Sequence, residues 1–115
     1  MKIEQGQIFR HDFGPRQNHL QEGPRPIVVI QTDALNRLDG YPNVIVVPLT
    51  TKEKKSATYA KVEPSEENAL DRTSWAIANQ IFTLDKGDLK ESLGHVTATE
   101  LYNIKESLKI SLNIK

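Results

Sequence analysis

Two short apolar runs constrain the fold of this chain more than any other feature. Residues 25–31 (RPIVVIQ) and residues 44–49 (VIVVPL) are rich in β-branched side chains and lie next to turn-forming residues. Runs of this length and composition are typical of buried strands. Because proline has no N–H to give to a central ladder, we expect Pro26 and Pro48 to lie near strand ends or edges.

The residues that border these two runs could bind a phosphodiester. Arg25 opens the first run, and Thr50 and Thr51 follow the second. Arginine presents a planar fork of N–H donors, and threonine adds a small rotatable hydroxyl. If the two strands are neighbours, these groups meet at the margin of a sheet. Since adjacent side chains of a strand face opposite ways, only one of the two threonines can line such a site.

The remaining pattern predicts several more short strands and one long helix. A helical turn is expected at 33–37, capped by Asp33. Near the C-terminus, Thr97 and Glu100 form a capping-box pattern. It is followed by apolar residues at helical spacing on one face, namely Leu101, Ile104, Leu108 and Leu112. Further strands are predicted at 7–13, 57–63, 74–80, 81–85 and 93–96. Together these elements predict a mainly β chain with α (α+β), built as a small, strongly bent antiparallel sheet with a C-terminal helix.

Length and composition exclude several functional classes. The 115 residues predict a single domain over 1–115. The 15 basic and 15 acidic residues cancel, so any contact with nucleic acid must come from a local patch. The chain has no cysteine, which excludes disulfides and thiolate catalysis, and its three scattered histidines show no metal-ligand spacing. No apolar stretch approaches the ~18 residues of a membrane span, and no signal peptide is evident, so we expect a cytoplasmic protein without a membrane anchor.

Six segments, in order along the chain, resemble the MazF/PemK/Kid family of toxin endoribonucleases from bacterial toxin–antitoxin pairs. They are residues 6–9 (GQIF), 23–33 (GPRPIVVIQTD), 46–50 (VVPLT), 70–74 (LDRTS), 79–86 (NQIFTLDK) and 108–112 (LKISL). The resemblance implies an SH3-like antiparallel β-barrel with a C-terminal α-helix (the CcdB/Kid/PemK-like fold). It also implies a homodimer that cuts single-stranded RNA, with no metal or other cofactor, and that a MazE/PemI-like antitoxin inhibits. The expected products are a 2′,3′-cyclic phosphate and a 5′-hydroxyl.

The same resemblance assigns roles to individual residues. Arg25 and Thr50 match the positions implicated in catalysis. Arginine is a poor base in water, so charge stabilisation is the expected role of Arg25, and proton transfer is a second role that the resemblance supports. The alternatives are an ion pair between Arg25 and Glu22, and a Thr50 hydroxyl that only satisfies the strand end. Residues expected to contact RNA are Arg16, His19, Gln21, Thr51, Lys52, Lys54, Gln80 and Phe82. The lysines could equally be solvated surface residues.

The chain departs from the family pattern at two places. Family members usually carry Ser-Glu-Gln where this chain has His19, Leu20 and Gln21, and often carry arginine where it has Phe82. Gln80 could bond a base edge and Phe82 could stack on a base, although Phe82 could instead pack in the core or a dimer interface. We expect Trp75 to be buried at an interface. His11 and His95 are expected to be structural or surface residues.

Two rival functions remain on sequence grounds. One is a catalytically inactive homologue that binds RNA or antitoxin, since the loop departures remove a glutamate near Arg25. The other is a gyrase poison of the CcdB type, which shares the fold but has its activity in a C-terminal Trp-Gly-Ile. This chain ends in Ser-Leu-Asn-Ile-Lys, which argues against that rival.

Overall fold

The computed structural model describes residues 2–15 and 21–115. It contains a short helix, α1 (Asp33–Asn36), a single 3₁₀ turn (Lys86–Asp88) and a long C-terminal helix, α2 (Ala98–Leu112). The strands are β1 (Gln7–Asp12), β2 (Pro24–Val29), β3 (Asn43–Thr50), β4 (Tyr59–Val62), β5 (Ser74–Ile77), β6 (Phe82–Asp85) and β7 (Glu91–His95).

The strands form one antiparallel sheet in which β3 has three neighbours. The main order is β4-β5-β3-β2-β1-β7, and β6 also pairs with β3. β3 pairs with β2 on one side, and on the other side first with β6 and then with β5. A strand can pair with two different strands along the same edge only if the sheet bends where the first partner ends and the second begins. The predicted bent antiparallel sheet with a terminal helix is thus confirmed.

Both faces of the central strands are buried, which explains their unbroken apolar composition. One face of β3 contributes Val47 and Leu49 to a core that Ile104 of α2 covers; we term this the helix-side core. The other face contributes Val44 and Val46 to a second core, the far-side core. The far-side core also contains Ile3, Phe9, Ile27, Val29 and Leu89, with Phe13, Phe82 and Leu84 packed against it.

Pro48 lies near the end of β3, two residues before Thr50, in agreement with the prediction, and it is fully buried opposite Ile27. Its position coincides with the change of neighbour along β3. Pairing with β6 ends at Val46, and pairing with β5 begins at Leu49. A residue without an N–H is tolerated there because one ladder has ended and the next has not begun.

Two details of the helices differ from expectation. The N-cap of α1 is Thr32, whose side chain accepts a hydrogen bond from the N–H of Ala34, and Asp33 is the first helical residue. In α2 the Thr97–Glu100 capping box is confirmed. Leu112, expected on the packed face, is 53% exposed, because the buried stripe of α2 centres on Ile104 and Ser107 and ends before the last turn.

Gly94 allows two segments to approach more closely than any side chain would permit. It has φ +116°, and a Cβ at this position would lie 2.0 Å from the carbonyl oxygen of Glu67. We expect Gly94→Ala to lower the free energy of unfolding by about 3 kcal/mol or more, since it combines backbone strain with a clash against main chain. Gly14→Ala is the control, because Gly14 also has positive φ but open space around its Cβ position. Urea unfolding that gave equal losses for both variants would contradict this account.

The Asp33 carboxylate joins the N-terminus to α1. It accepts hydrogen bonds from the backbone N–H of Gln5 (2.8 Å) and the side-chain amide of Asn36 (3.1 Å). The Gln5 bond, then the Asn36 bond, and to a smaller degree the charge of Arg37, lower the pKa of Asp33 below its ordinary value of 3.8. As pH falls, the carboxyl group of Asp33 is therefore protonated at a higher pH in the unfolded chain than in the folded protein. The resulting stabilisation is complete above the unfolded pKa and is lost as pH falls through the lower folded pKa.

Asp33→Asn should remove this acid-sensitive contribution. We expect the variant to lose about 1 kcal/mol at pH 7 relative to the native chain, a typical contribution for a hydrogen bond, and the difference to shrink towards pH 3. Denaturant unfolding at both pH values measures it. Asp39→Asn is the matched control because Asp39 is exposed. A difference between native and Asp33→Asn proteins that did not narrow in acid would disprove the assignment.

Candidate functional site

Arg25 is the second residue of β2 and lies directly opposite His11 of β1. Its side chain is partly buried, and its Nε donates a hydrogen bond to the backbone carbonyl of Glu22 at 3.2 Å. Within residues 2–15 and 21–115, Arg25 forms no ion pair, so the proposed structural pair with the Glu22 carboxylate is not formed. The bond to Glu22 holds the Nε side of the guanidinium, and its terminal nitrogens make no hydrogen bond to residues 2–15 or 21–115.

The strand register brings Thr50 to the same level of the sheet. β2 and β3 pair as Val29–Val46, Val28–Val47 and Ile27–Pro48. The ladder ends at Ile27–Pro48; the same register, continued by two residues, would set Arg25 opposite Thr50. Side chains alternate between faces, so both residues lie on the face of the far-side core. The two residues implicated in catalysis therefore lie on the same face, near the ends of two neighbouring strands.

The two threonines have different environments. Thr50 is only 8% exposed, and its Oγ1 accepts a hydrogen bond from the backbone N–H of Lys52 at 3.1 Å. The accepting oxygen still has a hydroxyl hydrogen to donate. Thr51 is exposed and follows the last residue of β3. The expected preference for Thr50 therefore agrees with its location on the face of Arg25.

A row of four side chains crosses the sheet at this level. His11 of β1 pairs with Arg25, Thr50 follows on β3, and Trp75 of β5 pairs with Thr50. We call these four residues the cross-strand row. Residues directly opposite in antiparallel strands have Cβ atoms about 4.5–5.5 Å apart. The row is where the far-side core gives way to a more open surface, since His11, Arg25 and Trp75 are partly exposed.

Two members of this row, His11 and Trp75, were missed by the sequence reasoning as neighbours of the catalytic candidates. Neither belongs to a recognisable motif, and their proximity arises only from the strand register. They could have been identified only by predicting that β1 pairs with β2 and that β3 pairs with β5, each in the correct register.

A pair of glutamines lies near the row. The side-chain amide of Gln21 donates a hydrogen bond to Oε1 of Gln80 at 2.7 Å. The contact joins the segment before β2 to the turn between β5 and β6. Two residues predicted to contact RNA are therefore adjacent to each other, with amide groups that could be re-directed towards a base.

Phe82 packs with the far-side core. It lies opposite Val46 of β3, and its ring centre is 5.0 Å from that of Phe13. Phe82 therefore packs against the core, as one of the two alternatives predicted. Only the partly exposed part of its ring is available to stack on a base. Lys52 and Lys54 are exposed on the connection after β3. Arg16 and His19 lie outside the described residues.

Two features are absent from the described part of the chain: a cluster of metal-ligating side chains and a membrane-spanning helix. No group of three or more His, Cys, Asp or Glu side chains lies close enough together within residues 2–15 and 21–115 to hold a metal ion. Among the helices of the same residues, none has the length and apolar character needed to span a bilayer.

Comparison with known proteins identifies the class to which this fold and site belong. A family model described as "PemK-like, MazF-like toxin of type II toxin-antitoxin system" matches residues 4–112. The chain belongs to this family of toxins, and the resemblance noted in the sequence is confirmed.

Individual relatives are similar over nearly the whole chain. Endoribonuclease MazF of Staphylococcus saprophyticus is 33% identical over 114 residues, which cover 97% of this chain and 92% of the relative. A mycobacterial endoribonuclease, solved in complex with its cognate antitoxin, is 29% identical with a TM-score of 0.82, covering 98% of this chain and 97% of the other. MazF of Deinococcus radiodurans, at 22% identity, has a TM-score of 0.78 with 98% of each chain covered. The expected MazF-like fold, an antiparallel half-barrel with a C-terminal helix, is confirmed.

Proposed function

We propose that this chain is an endoribonuclease toxin, one domain over residues 1–115, that cuts single-stranded RNA sequence-specifically and without a metal ion. The observation that carries the proposal is the juxtaposition of Arg25 and Thr50 on one face of the sheet, at the level where the far-side core opens. The names of the relatives support the same activity, because both the staphylococcal and the mycobacterial protein are endoribonucleases. Messenger RNA, encountered in the cytoplasm, is the substrate we infer.

The proposed reaction is transfer of the phosphodiester to the neighbouring 2′-oxygen. The 2′-oxygen attacks phosphorus, the bond from phosphorus to the 5′-oxygen breaks, and a 2′,3′-cyclic phosphate and a 5′-hydroxyl result. Arg25 stabilises the charge that builds on the non-bridging oxygens, which a fork of fixed N–H donors does well. The Thr50 hydroxyl donates to the phosphate or orients the attacking hydroxyl, and burial restricts its motion.

RNA binding would be shared among residues around the cross-strand row. Lys52 and Lys54 are suited to backbone phosphates, and Thr51 lies between them and Thr50. Gln21 and Gln80 offer amide groups to a base edge, and the exposed edge of Phe82 offers an apolar surface. Because the net charge is zero, a few local cations must provide the attraction to the backbone.

We also infer a homodimer that a MazE/PemI-like antitoxin neutralises. The mycobacterial relative was solved with its cognate antitoxin, and structures of MazE–MazF from Deinococcus radiodurans are similar to this fold. Large apolar side chains exposed along α2 and beyond it support a partner surface; they are Tyr102, Ile110, Leu112 and Ile114.

The second candidate function is an inactive homologue that binds RNA or antitoxin without cutting. It is favoured by Leu20, which stands where the family usually has glutamate. Incubating purified protein with a mixed single-stranded RNA in EDTA separates the possibilities. Site-specific fragments ending in a cyclic phosphate support the nuclease, and intact RNA that is nonetheless bound supports the inactive homologue. Intact RNA together with inhibited DNA gyrase would favour the CcdB-type poison.

Arg25→Ala should abolish cleavage while the protein remains folded. The change removes charge stabilisation in the transition state, and Arg25 contributes to neither core. Arg25→Lys should recover little, because a point charge cannot reproduce the two-pronged contact. Initial cleavage rates on a defined RNA, with circular dichroism to verify folding, measure both. Near-native cleavage by Arg25→Ala would remove the basis of the proposed site.

Thr50→Val keeps the shape of the side chain and deletes its hydroxyl. We expect a loss of at least about tenfold in the cleavage rate, the range found for a single transition-state hydrogen bond. Thr51→Val is the matched control and should have a small effect, since Thr51 is exposed and lies beyond β3. A reversed ranking would mean that the register between β2 and β3 does not continue to residue 50.

A further inference from the structure

His11 is held next to Arg25 of the proposed site by the pairing of β1 with β2. It lies directly opposite Arg25 in the β1–β2 ladder. Its ring meets that of Phe13 edge to face, with centres 4.7 Å apart and planes at 85°. Phe13 in turn packs on Phe82 against the far-side core. The imidazole is therefore anchored on one side by an aromatic stack and is partly exposed on the other.

The proposed reaction needs a proton for the leaving oxygen. When the bond from phosphorus to the 5′-oxygen breaks, that oxygen must become a hydroxyl. Arginine holds its proton too tightly to serve as an efficient donor near neutral pH, and a threonine hydroxyl holds its proton more tightly still. Imidazole is the side chain best suited to proton transfer in this range.

We propose that His11 is the general acid of this chain and protonates the leaving 5′-oxygen. The inference rests on the proposed function, because it assumes that Arg25 binds the scissile phosphate. The position beside Arg25 meets the geometric requirement. His11 and Arg25 are direct cross-strand partners on one face of the sheet, a position in which Cβ atoms are about 5 Å apart.

Every proton of the proposed step is accounted for. The 2′-oxygen forms its bond to phosphorus and gives its proton to solvent water. As the bond to the 5′-oxygen breaks, the electron pair stays on that oxygen and takes the proton of the His11 imidazolium. The neutral imidazole regains a proton from water before the next turnover. No oxidant, reductant or metal ion takes part.

Charged groups of both signs surround His11. Arg25 faces His11 from β2. His11 also lines a groove of about 690 Å³ that Asp88, Lys90 and Glu91 line as well. The flanking residues of β1, Arg10 and Asp12, line the same groove, where Arg10 pairs with Glu91 at 3.6 Å. Asp12 and Asp88 contribute negative charge to the surroundings of His11, and Arg25 and Lys90 contribute positive charge.

This role replaces the sequence expectation that His11 is a structural or surface residue. His95, the other histidine of the described residues, pairs with Gln7 between β1 and β7 and is remote from the Arg25 end of β1. It provides a matched control, as a partly buried histidine on an adjacent strand.

Two substitutions at position 11 separate proton transfer from packing. His11→Gln retains a polar side chain, and His11→Phe retains the ring that packs on Phe13. If His11 is the acid, both variants should cut RNA about 100-fold more slowly than the native protein, within the usual range for general acid catalysis. His95→Gln should remain within about threefold. Native activity in His11→Phe would show that only the aromatic packing matters and would overturn the proposal.

A modified substrate tests the proton directly. An RNA with sulfur in place of the 5′-oxygen at the cut site has a leaving group that departs as a thiolate and needs no proton, since thiols are far more acidic than alcohols. On this substrate the defect of His11→Gln should shrink to within about threefold of native, because general acid catalysis is no longer required. An undiminished defect would assign His11 to binding or base catalysis and refute the acid role.

The pH dependence gives an independent readout. The native rate should decline at alkaline pH as the acid loses its proton, and this decline should be absent in His11→Gln. Binding of an uncleavable RNA, with a 2′-deoxy sugar at the cut site, should be equal for native and variant proteins. If the native protein cuts no RNA, the proposed function fails. If it cuts RNA and His11→Gln cuts equally well, only the present inference fails.

Discussion

The shared use of β3 is the constraint on which this molecule depends. Both of its faces are buried, one in each core, and its edges serve β2, β6 and β5. A strand with water on one face could alternate apolar and polar residues, but this one cannot, and its sequence is almost entirely apolar until Thr50. The change of partner between Val46 and Leu49 bends the sheet and allows a buried proline within the strand.

The location of the site follows from this arrangement. Beyond Pro48 the far-side core no longer has a covering layer, so the next side chain on that face, Thr50, lies at the boundary between core and solvent. The ladders on either side then fix which residues accompany it, namely Arg25 and His11 towards β1 and Trp75 towards β5. Every member is on a strand rather than a loop, which favours precise positioning of the reacting groups.

The sequence predicted most of the fold because its strongest signals are local. The two apolar runs, the Thr97–Glu100 capping box and the turn residues each specify an element without reference to the rest of the chain. The errors have non-local causes. Leu112, for example, was assigned to the packed face because helical spacing does not show where the sheet beneath the helix ends.

The same distinction between local and non-local signals applies to the residues of the candidate site. Arg25 and Thr50 could be proposed from sequence because one lies at the start and the other at the end of a recognisable strand, and both match family positions. His11 and Trp75 could not, since nothing in their local sequence distinguishes them from surface residues. They become neighbours of the site only through register, and a one-residue slip would place both on the opposite face.

The combination of zero net charge with an aligned row of functional side chains has a consequence for selectivity. Without a global positive field, long RNA is not held non-specifically along the surface, so residence on the protein depends on contacts at and beside the row. In the proposed site the family positions Arg25 and Thr50 would make the phosphate contact, whereas His11, Phe82 and Trp75 are features of this chain outside those positions. Since aromatic and amide groups discriminate bases where phosphate contacts do not, the choice of RNA sequence is expected to reside in these surroundings, and the shared chemistry in the arginine and threonine they enclose.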